Sequence, residues 1–281
     1  MIMPVKETAT FIDQDRCPVC TGPFSLIDRT RTIDPHAPDL FELRQCTRCG
    51  HWWHSPMPTQ DHLIQLYNSG SASVVPENYT QQIQKSPGTA LRGFGAWIYR
   101  HEKDKPGSRC LEIGVGGGHL LTQLRIKGFI CHGIEPGRWA AGSGVYPDID
   151  HLPQDGKYDI FILSDVLEHL TSPLEMLRDL GKLGHSGSRI YCSFPNKDSL
   201  PALLRKGAWS MVRPLGHLHY FSHQSVSLLF SKAAWEIAEC RKTNALHNDL
   251  LSSANPFRLA VKIITIPLYW HDQFWVRAVK H

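Results

Sequence analysis

The stretch "EIGVGGGHL", Glu112 to Leu120, places four glycines among nine residues, between an apolar run and an amphipathic one. Upstream, "CLEIGV" reads as a buried strand; downstream, "HLLTQLRIKGF" reads as a helix. The glycines therefore sit at a strand-to-helix turn, where main-chain N–H groups and the helix N-terminus are free to meet a ligand. Several nucleotides are held at such turns, and the flanking residues discriminate among them. A Walker phosphate loop ends in Gly-Lys-Ser/Thr, which "GGGHL" lacks. A dinucleotide fingerprint puts Gly or Ala where His119 stands. What remains is E-x-G-x-G-x-G, carried by Glu112, Gly114, Gly116 and Gly118.

Working outward, Glu112 sharpens the choice. An acid at the strand end repels a pyrophosphate but suits a ligand that carries an ammonium group. The next motif, "GIEPG", puts Glu135 at the end of the second strand, about twenty residues on, where doubly wound nucleotide folds place an acid against ribose hydroxyls. Pro136 is suited to opening the helix that follows. A ligand with a ribose, a cationic amino-acid tail and no phosphates is S-adenosylmethionine. Residues 108–243 alternate strand-like and helix-like runs ("ICHGIEP", "YDIFILSDV", "SPLEMLRDLGKL", "SRIYCSFPN"), the pattern of βαβ units in a mainly parallel sheet. The fold class expected is α/β, a doubly wound Rossmann-like sheet.

With "LEIGVGGG", "GIEPG", "YDIFILSDVLEHL" and "SFPN" in order, the chain resembles the class I S-adenosylmethionine-dependent methyltransferases. The resemblance covers roughly residues 108–243 and extends to a final strand, "QFWVRAVK". It implies that the glycine loop wraps the methionine part of the cofactor, that Glu135 binds its ribose, and that Asp165 faces it from the segment after the fourth strand. The "LY…Y" segment matches one that forms a lid over the cofactor in relatives, which makes Tyr79 a candidate lid contact, against ordinary packing as the alternative reading. Two features depart from the family pattern. Only 24 residues separate Glu135 from Asp159, so the third βα unit should be trimmed, with Ile149, Asp150 and Leu152 as candidate adenine contacts. The usual Pro-Gly-Gly turn before the fifth strand is replaced by "GHSGS".

Methyl transfer is an in-line displacement in which the protein aligns the nucleophile and, for a hydroxyl or acidic carbon, removes a proton. Asp165 and His169 are four apart in "SDVLEHL" and would share a face if a helix began there. His169 is then a candidate base or orienting group, against a bland role in capping or packing. "GHLHYFSHQSVSLLF" resembles the H-x-x-Y/F-F segment beside the substrate pocket of small-molecule methyltransferases, including relatives of the ubiquinone O-methyltransferases. Within it His217 and His219 alternate onto one side of an extended stretch and join His169 as catalytic candidates. A second metal site is an alternative use for such a cluster, and ordinary hydrogen bonding in a loop is another.

The cysteines point to a separate element. Of eight, four form the pairs "CPVC" (Cys17, Cys20) and "CTRC" (Cys46, Cys49), 25 residues apart. Each CxxC puts two thiolates on a tight knuckle, and two knuckles supply the tetrahedral set that zinc prefers. Four soft ligands with no open position argue for a structural ion. His51 and His54 lie close by and could substitute for a cysteine. The N-terminal part is thus read as a small zinc-ribbon-like module over 1–58, followed by a helical linker or lid over 59–105. The methyltransferase domain follows over 106–281, with 245–270 as a substrate-side insertion.

Composition limits the partners. Charged residues make up 20% and the net charge is +4, with no block of lysines and arginines. The N-terminus lacks a signal-peptide pattern, and the apolar run near the C-terminus carries Lys262 and Pro267, so a cytoplasmic protein without a membrane span is expected. The favoured reading is methyl transfer to a small molecule such as a sugar or a secondary-metabolite or cell-surface precursor, at O, N or C, with a homodimer as a further option. An RNA methyltransferase is the alternative: Arg29, Arg31, Arg44 and Arg48 surround the knuckles, and Trp52 and Trp53 could stack bases. Acids at Asp13, Asp15, Asp28, Asp34, Asp39 and Glu42 offset that charge. A non-catalytic interaction protein on the same fold is the third reading, opposed by the intact Glu112, glycines and Glu135.

Overall fold

The computed structural model describes residues 10–31, 37–69, 91–137, 143–243 and 271–281. At its centre is a seven-stranded sheet in the order β12-β13-β10-β9-β6-β7-β8. The strands are β6 (Arg109–Ile113), β7 (Ile130–Ile134), β8 (Val145–Tyr146), β9 (Tyr158–Ser164), β10 (Gly184–Pro195), β12 (Trp235–Thr243) and β13 (Gln273–Lys280). The five from β6 to β10 run parallel, and β13 lies antiparallel between β10 and β12. Both faces are covered, as parallel sheets require. Cys110, Ile160 and Ile162 point to a layer with Trp97, Tyr191 and Trp275; Leu111, Phe161 and Leu163 point to the opposite one, with Leu177, Leu180 and Phe230. That alternation is the period of two of a pleated strand.

The α-helices among the described residues are α1 (Gln60–Ser69), α2 (Gly93–Glu102), α3 (His119–Ile126), α4 (Pro173–Leu183), α5 (Leu200–Arg205) and α6 (His223–Lys232), beside short 3₁₀ turns. α4 buries Leu177 and Leu180 while Glu175 pairs with Arg178 and Asp179 with Lys182 along its outer side. Strand order reverses at β6, which has β7 on one side and β9 on the other. The crevice above the carboxyl ends of the strands at such a switch point is where open α/β sheets bind ligands. The third unit is trimmed as the spacing predicts: β8 has two residues, followed by a 3₁₀ turn at Ile149–His151.

The N-terminal region forms β1 (Phe11–Ile12), β2 (Phe24–Arg31), β3 (Leu40–Cys46), β4 (Trp52–Ser55) and β5 (Met57–Pro58). β2, β3 and β4 make an antiparallel meander, and β1 pairs with β5. The meander gains a fourth strand from far along the chain: β11 (His219–Tyr220) pairs with β4, aligning His219 with Trp53 and Tyr220 with Trp52. No helix among the described residues is long and apolar enough to cross a membrane.

One local expectation is corrected. Asp165 and His169 do not share a helical face, because the segment after β9 makes only a 3₁₀ turn at Leu167–His169 and the helix starts at Pro173. Proline disfavours helical geometry in the residue before it and is itself suited to the first helical position, so Ser172-Pro173 sets the start of α4.

Candidate functional site

The glycine turn between β6 and α3 needs glycine for its geometry. Gly114, Gly116 and Gly118 have φ of 70°, 52° and 71°, in the left-handed region. At Gly114 the space is also closed, since an added Cβ would lie 2.7 Å from Val166 Cγ2. Glu135, buried just after β7, ties the turn down: its Oε2 accepts from Gly116 N at 2.8 Å and its Oε1 from Gly137 N at 2.9 Å. Each oxygen keeps a further lone pair for a hydroxyl. Glu112 is 4% exposed, and its Oε2 has no hydrogen-bond partner. Burial, with Cys131 and Glu135 nearby, pushes its carboxyl up to about 8 against the opposing amide of Leu121. An orphaned buried acceptor beside an open glycine turn fits the cationic tail and ribose of the cofactor expected from the sequence.

Asp165 closes this crevice from the end of β9. Its φ of 53° is left-handed, an uncommon state for a residue with a side chain and one that recurs at functional sites. Its amide donates to Ser193 O at 2.9 Å. Its Oδ1 accepts from Gln273 Nε2 at 2.8 Å, while the Trp275 indole holds Gln273 Oε1 at 3.0 Å. The side chain is open to solvent, yet its surroundings are dense enough that burial raises its pKa against the bonds from Gln273 and Ser193.

The structure separates the three candidate histidines. His169 and His217 face each other with ring centroids 4.8 Å apart. Each donates Nδ1–H to a backbone carbonyl, His169 to Gly216 and His217 to Met211 at 2.8 Å, which leaves Nε2 unprotonated. Burial, with Arg213 nearby, lowers His169 to about 4. Burial and His169 lower His217 to about 3. Glu168 joins them, 1% exposed with Oε2 unpartnered, and one ligand-type atom from each of the three lies within 4.8 Å of the others. Burial and Asp165 hold the Glu168 carboxyl well above its ordinary range. His219 does not share the side of His217 as alternation suggested. It is fully buried, with Nδ1 3.1 Å from His51 Nε2 and its ring stacked on Phe221.

The four paired cysteines converge. Cys17 Sγ and Cys49 Sγ are 3.7 Å apart, and Cys20 Sγ and Cys46 Sγ 3.3 Å apart. A tetrahedron with Zn–S bonds of about 2.3 Å has S···S edges of about 3.8 Å, so the set needs little adjustment to hold zinc. The amides of Arg48 and Cys49 point at Cys46 Sγ, both at 3.4 Å, as a knuckle around a thiolate requires. His51 and His54 are buried away from this set: His54 Nε2 meets Tyr220 OH at 3.0 Å.

Half of the features offered for RNA contact are used inside the protein, while Arg29, Arg31 and Arg48 are exposed. Trp52 and Trp53 are buried, and Arg44 pairs with Glu42 and Asp13. Tyr79 and the 245–270 segment lie outside the described residues. Three contributors were missed by sequence reasoning: Glu168, Gln273 and Tyr220. Only Glu168 carried a signal, as an acid immediately before a candidate histidine; the others act through partners distant in sequence.

Comparison with known proteins decides the family. A profile described as a methyltransferase domain matches residues 90–239. The chain belongs to the methyltransferase family. Among curated relatives of this methyltransferase, the ubiquinone biosynthesis O-methyltransferase of Erwinia tasmaniensis is 28% identical over 120 residues, 37% of this chain and 49% of that protein. The chain thus spans about half the length of the curated relatives it matches. Among solved structures, the 1,6-didemethyltoxoflavin-N1-methyltransferase of Burkholderia thailandensis, bound to 1,6-didemethyltoxoflavin and S-adenosylhomocysteine, superposes with a TM-score of 0.55 at 12% identity. It covers 90% of this chain and 99% of that one. The magnesium protoporphyrin IX methyltransferase of Synechocystis, with bound S-adenosylhomocysteine, gives 0.50 at 17% identity, covering 79% and 100%. At these identities the likeness is one of fold.

Proposed function

We propose that this methyltransferase transfers the methyl group of S-adenosylmethionine to a small-molecule acceptor carrying an O–H, N–H or acidic C–H. One observation carries the reading: at the switch point of the sheet, Glu135 ties Gly116 and Gly137 while the neighbouring Glu112 keeps a buried oxygen without a partner. A ribose would add to Glu135 and an ammonium would meet Glu112, with Asp165 closing the cleft. Bound there, the cofactor supplies a methyl group already activated by sulfonium. His169 and His217, neutral at physiological pH and with Nε2 unprotonated, take up the acceptor's proton or orient its donor atom. His219 stays in the buried seam. Cys17, Cys20, Cys46 and Cys49 would hold a structural zinc ion. A small acceptor accords with the names of the relatives and with the burial of Trp52 and Trp53.

Titration calorimetry with S-adenosylhomocysteine tests the cofactor reading. The wild-type chain should bind, and Glu135→Ala should weaken binding by about tenfold or more, the worth of a charge-assisted hydrogen bond. Absence of binding by the folded wild type would remove the proposal.

A further inference from the structure

The two cysteine knuckles and the acceptor side of the site meet on one helix. Ser222 caps α6: its Oγ accepts from Ser225 N at 3.0 Å and donates to the carbonyl of Cys49 at 2.5 Å. At the other end of α6, Lys232 Nζ donates to the carbonyl of Val19 at 2.6 Å. Cys49 belongs to the second knuckle and Val19 lies inside the first, so the ends of a single helix hold both knuckles.

The segment leading into α6 is fixed to the same region. His54 N donates to Leu218 O at 3.2 Å within the β4–β11 pairing. The Tyr220 hydroxyl accepts from Arg213 N at 3.0 Å and has two acceptors for its proton, His217 O and His54 Nε2, each at 3.0 Å. His217 N in turn donates to Arg213 O at 2.8 Å. Ser222, Tyr220 and His54 are all buried, so these bonds form where water does not compete for them. The loop that presents His217 to His169 is therefore tied through Tyr220 and Ser222 to a region some 170 residues earlier in the chain (|i−j| of 166 and 173).

We propose that the four-cysteine region is a clasp for residues 213–222. Tyr220, Ser222 and Lys232 are positioning residues through which metal occupancy of the cysteines sets where His217 stands against His169. The inference rests on the metal and acceptor-side readings above. Its physical basis is that metal binding to such knuckles is folding free energy. When the ion leaves, the Cys49 and Val19 carbonyls lose their fixed places, and both ends of α6 lose their acceptors. Linkage makes the effect reciprocal: a loop held in place raises the metal affinity of the cysteines.

The test is hydrogen exchange on the full chain with S-adenosylhomocysteine present, before and after zinc chelation. Exchange over 213–232 should rise about tenfold or more together with 10–58, while 109–113 and 158–164 stay protected, as for a local unit that opens separately from the central sheet. A rise confined to 10–58, or one spread evenly through the sheet, would overturn the clasp. Elemental analysis separates the readings: a chain purified without metal refutes zinc and with it control of His217 by metal occupancy, and leaves only the clasp formed by the contacts of Tyr220, Ser222 and Lys232. The clasp is then tested by Ser222→Ala and Lys232→Met, which should raise exchange over 213–221 where Lys182→Met does not. Ser222→Thr should restore protection. Finally, Tyr220→Phe should move the ring ¹⁵N resonances of His217 and leave those of His132 in place; unmoved His217 resonances would sink the positioning role.

Discussion

On the proposed cofactor side, Gly116 and Glu135 are 19 residues apart, and the contacts that shape the turn involve main-chain amides. On the proposed acceptor side, His169 hydrogen-bonds a carbonyl 47 residues away, and Tyr220 meets His54 across 166. The first is a local conformation imposed by glycine and one buried acid; the second exists only once distant segments have docked. The cofactor side should therefore respond to substitutions that alter backbone freedom or a single charge. The acceptor side should respond to changes in parts of the molecule that touch no substrate.

The largest expected effect would break the comparison at its remote end. Cys46→Ser removes a sulfur from the buried set, and metal content should fall from about one equivalent to none, with Tm dropping by on the order of 10 °C. Elemental analysis and calorimetry check this; unchanged values would show that the acceptor side stands without a metal. Next, His217→Asn should slow turnover by about a hundredfold or more if the imidazole takes the acceptor's proton. Both rings stay neutral until the pH falls to about 4 for His169 and about 3 for His217, so rates should hold above pH 5 and decline only below it. A pH–rate profile with an acid limb near 6.5 would contradict that environment.

Gly114→Ala probes the local side. The new methyl meets Val166 Cγ2 at 2.7 Å in a left-handed backbone, at a cost of roughly 1–3 kcal/mol. Thermal unfolding and S-adenosylhomocysteine affinity should both deteriorate, and a well-tolerated alanine would mean that the turn can relax. The most gradual effect concerns Glu112. Its folded pKa of about 8 exceeds the ordinary 4.5, so the unliganded protein has the full contribution below 4.5 and loses it as pH rises through 8. The slope reaches at most about 1.4 kcal/mol per pH unit. Denaturation curves across pH 5–9 should show it, Glu112→Gln should flatten it, and a bound cation should reduce it.

The same contrast governs how much of the molecule could be read from its sequence. The β6 turn, the trimmed third unit, the final strand and the cysteine set were legible because each follows from short-range pattern: alternation, glycine at positive φ, CxxC spacing. The placement of His169 was misjudged for a local reason, since Ser172-Pro173 delays the helix and leaves a 3₁₀ turn where a helical face was expected. The separation of His217 from His219 was not legible at all. It depends on Tyr220 turning toward Arg213 and His54 while His219 turns toward His51, and spacing within "GHLHYF" carries no information about partners over 160 residues away.

The pairing of β11 with β4 has a consequence for how such a chain can be recombined. Two residues from the last quarter of the chain complete a sheet begun near the start, and they shield the edge beside Trp52 and Trp53. A chimera that exchanged only residues 10–58 for a counterpart from another protein would leave His219–Tyr220 facing an edge with the wrong register and side chains. The exchangeable unit is discontinuous: the front sheet together with residues 213–232. Variation on either side of that seam should persist only where both halves change together.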